Sequence, residues 1–207
     1  MSDSTRSDTA RRLHPAIGLL EFDSIVAGMV AGDAMAKSSP VSSLYAGTVH
    51  PGRYLVLVGG DTAAVEVALE AGGTDTVVDS LFLADVDPSV LAAITTLDVG
   101  SRFHGDALGI VETASAATAV VAADTGVKAA AVSLTALRLS DDLGGKAYCL
   151  FTGVVADVEV AVDRAVAGTE HGERLVRATV IPQLHQEMRD NLAAELRFNH
   201  HLRGGSS

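Results

Sequence analysis

The chain has 207 residues, 48% hydrophobic but only 4% aromatic, and a formal net charge of −11. That length admits one large domain or two small ones. The acidic balance argues against nucleic acid as the main partner, because neutralising phosphates takes clustered Lys and Arg. No apolar run reaches the roughly 18–20 residues needed to span a bilayer, and the best candidate, from Ala114, is broken by Asp124.

Residues 1–14 mix Ser, Asp and Arg without an apolar h-region, so no secretory signal is expected and a flexible tail is. Ile17 to Glu21 is predicted as a short buried strand. Ser24 is a candidate N-cap for a helix to about Lys37. Val41 to Thr48 is predicted as a strand, His50-Pro51-Gly52 as a turn and Tyr54 to Val58 as the next strand. Asp61 caps a second helix from Thr62 to about Ala71, and Leu81 to Val86 is the last strand. The order β-α-β-β-α-β is ferredoxin-like: an α+β fold with an antiparallel sheet, helices on one face and the other face left for solvent or a partner.

The chain then repeats itself. Ala16-Ile17-Gly18-Leu19-Leu20-Glu21 returns as Ala107-Leu108-Gly109-Ile110-Val111-Glu112, about 91 positions on. At that spacing Ser24 matches Ser115, Asp33 matches Asp124 and Lys37 matches Lys128. After a small slip Gly52 matches Gly145, Leu57 matches Leu150, and Val65 to Ala68 match Val158 to Ala161; Val86 and Pro88 match Val180 and Pro182. The expected organisation is a tail over 1–14, a first domain over 15–97, a linker over 98–105, a second domain over 106–186, and a C-terminal helix and tail over 187–207. Leu184, Met188, Leu192 and Leu196 form one apolar stripe on that helix, suited to its own domain or to another subunit or cargo.

The opening Ala16 to Glu21, the segment Gly32-Asp33-Ala34-Met35-Ala36-Lys37, the helix start Gly59-Gly60-Asp61 and the close Val180-Ile181-Pro182 resemble the bacterial microcompartment shell family. Two such domains in one chain resemble its tandem, trimer-forming class. Val78-Asp79-Ser80-Leu81 and Asp87-Pro88-Ser89-Val90-Leu91 bring the resemblance nearest to the propanediol-utilisation type. The resemblance covers about Ala16 to His185. It implies a structural, non-enzymatic shell protein in the cytoplasm. Three chains would form a flat pseudohexagonal tile that packs beside other microcompartment shell proteins.

The resemblance also implies roles for particular residues. Lys37 and Lys128 match a lysine at the tile edge, although an ordinary solvated lysine is the default at either place. The edge arginine that follows Ile-Pro in the family is Gln183 here, with Ser89 in the first copy. The loop before the third strand lines a central pore for small metabolites: Thr48, Val49, His50, Pro51 and Gly52 in one copy, and Ser140, Asp141, Asp142, Leu143, Gly144 and Gly145 in the other. Relatives of the propanediol type carry a cysteine in the first loop, and three copies hold an iron–sulfur cluster. His50 stands there, which argues against the cluster because thiolate is its usual ligand. Three imidazoles on a threefold axis could hold a divalent metal instead; otherwise His50 only shapes the pore. Asp141 and Asp142 would make an acidic ring favouring cations, or are simply a solvated turn.

Other apparent motifs fail. Gly144-Gly145-Lys146 lacks the spacing of a phosphate loop, and no nucleophile elbow accompanies the Ser, His and Asp residues. Cys149, the single cysteine, cannot close an internal disulfide, falls in a predicted buried strand and reads as inert packing in a reducing compartment. The competing functions are a trimeric sensor of a small ligand or metal, which needs a defined pocket between domains, and an enzyme, which needs a convergent acid/base set not found in the sequence.

Overall fold

A computed structural model describes residues 16–96, 103, 105–140, 142–169 and 174–194. The elements are β1 (Ala16–Phe22), α1 (Ile25–Ser38), β2 (Ser43–Val49), β3 (Arg53–Gly60), α2 (Thr62–Gly72), β4 (Val77–Leu83) and α3 (Pro88–Thr96). They are followed by β5 (Ala107–Thr113), α4 (Ala116–Ala129), β6 (Ser133–Leu139), β7 (Ala147–Gly153), α5 (Val155–Gly168), β8 (Leu175–Ile181) and α6 (Gln186–Ala194). Two antiparallel sheets result, ordered β2-β3-β1-β4 and β6-β7-β5-β8. Both have the ferredoxin-like arrangement that the repeated β-α-β-β-α-β order implies.

The repeated signals act alike in both copies. The Ser24 hydroxyl accepts from the Ala27 N–H at 3.3 Å, and the Ser115 hydroxyl accepts from the Thr118 N–H at 3.3 Å. Each satisfies an orphan donor at its helix start. Gly18 and Gly109 let the second helix lie close on the sheet: a Cβ there would meet Leu69 at 2.8 Å or Val162 at 2.6 Å.

Every residue of β1 is buried, because both faces of its sheet are covered. Leu20 and Phe22 join Met35, Val56, Val65 and Ala68 under α1 and α2. Ile17 and Leu19 point the other way, into a larger core shared with α3 and the second domain. The face expected to be left for solvent or a partner is therefore covered in part, at β1 and β4, by the chain's own second half, and stays open along β2.

The register corrects two expectations. The last strand of the first copy is Val77–Leu83, not Leu81 to Val86. Val86 is buried in the turn that leads into α3, so its apolar character serves that turn rather than a strand. The sheets also pair Gly18 with Phe82 and Gly109 with Val180, so Val180 is the counterpart of Phe82 rather than Val86. On that register Leu184 answers Val86, Gln183 answers Asp85 rather than Ser89, and α6 answers α3, each helix being 9 residues long. Within the expected C-terminal stripe, Leu184 and Leu192 pack on the second sheet while Met188 is 52% exposed; Leu196 lies outside the described residues.

Candidate functional site

The β2–β3 and β6–β7 turns carry the two loops that the sequence singles out, and the fold sets them side by side. In the first, Thr48, His50, Pro51 and Gly52 are exposed and Val49 is half-buried. The His50–Pro51 peptide is cis, and Gly52 turns at φ +93°. In the second, Ser140 and Asp142 take φ values of +59° and +58°, and Gly144 and Gly145 follow at +64° and +85°. Four left-handed residues in so short a turn explain the glycines, which reach that region without a Cβ penalty. A Cβ on Gly145 would touch Pro51 at 3.3 Å, so the loops meet. Asp142 and Gly144 are exposed, Leu143 is half-buried, Ser140 is buried, and Asp141 lies outside the described residues.

The meeting of the loops is anchored by a charge pair that sequence reasoning missed. Glu21 is fully buried at the end of β1 and accepts from Arg53 Nη1 at 2.6 Å. Arg53 also donates to the carbonyls of Ala114 and Gly145, at 3.3 and 3.5 Å. The other Glu21 oxygen accepts from the Ala116 N–H at 2.8 Å, the first turn of α4, where the helix dipole favours a carboxylate. The available signal was a charge in an otherwise apolar strand, repeated as Glu112. In the second copy Glu112 pairs with Lys146 at 2.8 Å, half-exposed and with no second domain beyond it.

The rest of the junction between domains follows the same helix. Asp79 on β4 accepts from the hydroxyls of Ser115 and of Thr118, the latter at 2.6 Å, and Arg174 lies 3.5 Å away. Ala116, Ala117 and Val120 are fully buried in the core shared with Leu19, Leu57 and Leu81. Val90 and Ala93 of α3 complete that core beside Leu134 and Leu137 of β6. A groove of about 280 Å³ remains beside it, lined by Leu19, Tyr45, Leu57, Leu81, Ile94 and Val120 among others.

The two matched lysines have different surroundings. Lys37 pairs with Asp33 at 2.5 Å on an open surface. Lys128 pairs with Asp124 at 2.7 Å and donates to the Asp85 carbonyl, while buried Asp124 also accepts from the Asp87 N–H at 2.8 Å. Gln183 is exposed on a surface depression with Asp106, His185 and Arg189.

Cys149 is fully buried in β7, and burial pushes its thiol well above the ordinary range. The chain's one thiol is therefore in the core and the exposed loop offers an imidazole, a donor set that does not fit an iron–sulfur cluster. Among the described residues no three His, Cys, Asp or Glu side chains converge within one chain, so a metal at His50 would need neighbouring chains. No helix among them is long and apolar enough to cross a membrane.

Comparison with known proteins places these features in context. The BMC domain family matches twice, at residues 16–96 and 107–184. The bacterial microcompartment shell protein PduT of Citrobacter freundii is 45% identical over 178 residues, 84% of this chain and 95% of that protein. A microcompartment protein of Desulfitobacterium hafniense, known from its crystal structure, is 40% identical with a TM-score of 0.73, over 84% of this chain and 98% of that one. A fused permuted hexameric shell protein of the RMM microcompartment shares the fold, at a TM-score of 0.54 and 21% identity over 74% of this chain and 80% of that one.

Proposed function

The chain belongs to the BMC domain family as a tandem, two-domain shell protein of a bacterial microcompartment, and we propose that three copies close into a pseudohexagonal tile whose central pore passes small metabolites. One observation carries the reading. The face of α4 that is buried inside the chain has a bare counterpart on α1. Ala116, Ala117, Val120 and Val121 correspond to Ile25, Val26, Met29 and Val30, exposed by 37%, 73%, 55% and 66%. Four large apolar side chains on one open helix face mark an interface.

Each other partner in the junction has an open counterpart too. Buried β6, covered by α3, corresponds to β2, where Tyr45 to Thr48 are exposed. Buried Val90 on α3 corresponds to exposed Met188 on α6. One end of the chain thus offers α1 and β2, and the other offers the surface that would cover them. A head-to-tail contact of that kind closes into a ring when its rotation allows. Alternation of first and second domains then sets three His50 loops and three acidic loops around one axis.

On this reading Thr48 to Gly52 and Ser140 to Gly145 line the pore, and an Asp141/Asp142 ring favours cations. Lys37, Lys128 and Gln183 lie at the tile rim, where other shell proteins pack and where Gln183 takes Asp85's place against the next chain's Lys37. The shell encloses a compartment in the cytoplasm.

Native mass spectrometry tests the assembly. A trimer of about 64 kDa from 21.2 kDa chains is expected, and a protein that stays monomeric at high concentration overturns the tile. The same spectrum reports one extra metal ion per trimer if three His50 imidazoles ligate it, and that mass must vanish in His50→Ala. Replacing Asp141 and Asp142 by Asn should lower the ratio of cationic to anionic probe entering assembled shells; an unchanged ratio rejects the acidic ring.

A further inference from the structure

The junction inside the chain and the open faces that answer it differ in charge. Inside the chain two carboxylates face the start of α4: Glu21 accepts from the Ala116 N–H, and Asp79 accepts from the Ser115 and Thr118 hydroxyls. The residue before that cap is the neutral Ala114. On the open faces Glu112 keeps the place of Glu21, but the residue opposite it across the sheet is Arg177, where Glu21 has Asp79. On the receiving helix Thr118 becomes Ala27, and Ala114 becomes Asp23. Arg177 and Asp23 are both exposed, and among the described residues neither side chain has a partner within the chain.

Resting on the trimer reading, we propose that Arg177 of one protomer pairs with Asp23 of the next, beside Glu112 capping α1 at Ile25, and that this pair sets the register in which the open ends of two chains meet. Glu21 and Asp79 already hold the start of α4 inside the chain, so the free ends are α1 with Asp23 and the edge with Glu112 and Arg177. A contact between two like ends leaves Asp23 or Arg177 facing no opposite charge.

Side-chain volume works in the same sense. Inside the chain Leu81 and Val120 share one core; on the open faces their counterparts are Thr179 and Met29. Leu137 beside Val90 becomes Ala46 and Met188. Each junction pairs a large partner with a small one, in opposite order, so the two contacts fill their space with different side chains. A second copy of this chain, meeting the first head to tail, is the partner that the charges fit.

The test uses the full chain and native mass spectrometry over a dilution series. Arg177→Asp and Asp23→Arg are each expected to raise the concentration at which the trimer dissociates by about tenfold or more. The double variant, which restores opposite charges at every junction, should return it to within about threefold of the parent. Asp163→Arg on the exposed face of α5 changes charge equally and should leave it unmoved. Should a reversal prevent folding, Arg177→Gln and Asp23→Asn give the same comparison with smaller shifts. A parent that forms no trimer removes the tile reading and this pair together. A trimeric parent indifferent to either reversal, or a double variant no better than the singles, overturns the pair alone.

Discussion

Removing one side of the Glu21–Arg53 pair should cost more than any surface ion pair in the protein. Glu21 is fully buried, and among the described residues its oxygens accept from Arg53 and the Ala116 N–H. Arg53→Ala leaves the carboxylate with one donor in a site closed to water, a loss of about 3–5 kcal/mol. Glu21→Ala should cost less, about 2–3 kcal/mol, because Arg53 keeps two carbonyls and 25% of its side-chain exposure, while the Ala116 N–H is left unpaired. The double variant should cost less than the two singles added, by at least about 1.5 kcal/mol. Urea unfolding of all four proteins at one fixed protomer concentration measures this, the fixed concentration holding the assembly contribution constant. Additive losses, or an Arg53→Ala cost below about 1 kcal/mol, would refute the assignment of this pair as the tie between the domains.

Three other outcomes follow from the geometry. Gly105→Ala puts a Cβ against the Gly153 carbonyl at φ +74° and should destabilise by about 2–4 kcal/mol in the same urea assay; a neutral result would mean that this approach is not close in solution. Among the described residues Lys128→Ala leaves buried Asp124 with the Asp87 N–H alone, and it should cost about 1–2 kcal/mol; a change under about 0.3 kcal/mol would show that Lys128 is dispensable there. Burial raises the Cys149 pKa, so the thiol stays protonated and shielded from pH 7 to 9, and a thiol reagent should label it only in denaturant; fast labelling of the folded protein, rising with pH, would contradict the burial.

The repeat was legible because each copy must solve the same local problems. A serine caps the first helix and a glycine lies under the second helix of each copy, so those residues return in order, whereas the Asp61 cap of α2 is Val154 at α5. The two loops were legible for a similar reason, since glycines mark left-handed turns whatever lies beyond them. The helix α3 was not read from the sequence, and its counterpart α6 was read only as a C-terminal helix. Val86-Asp87-Pro88 and Val180-Ile181-Pro182 look alike in the sequence, and only the sheet register shows that they occupy different places. The pairing of Glu21 with Arg53 was equally hidden, because it joins residues 32 apart through a sheet and serves a helix of the other domain.

By itself the sequence determined the β-α-β-β-α-β order of each copy, the duplication and the family, all of which rest on short-range periodicity, caps and recurring motifs. The tertiary structure decided which of two matched surfaces is spent inside the chain and which stays open. That difference arises because the α4 face and β6 are covered by other parts of the same chain, while among the described residues nothing covers the matched faces of α1 and β2 or Met188. Identical local folding in the two copies therefore leaves them with unequal contacts, and the inequality is a property of how they pack rather than of either segment alone.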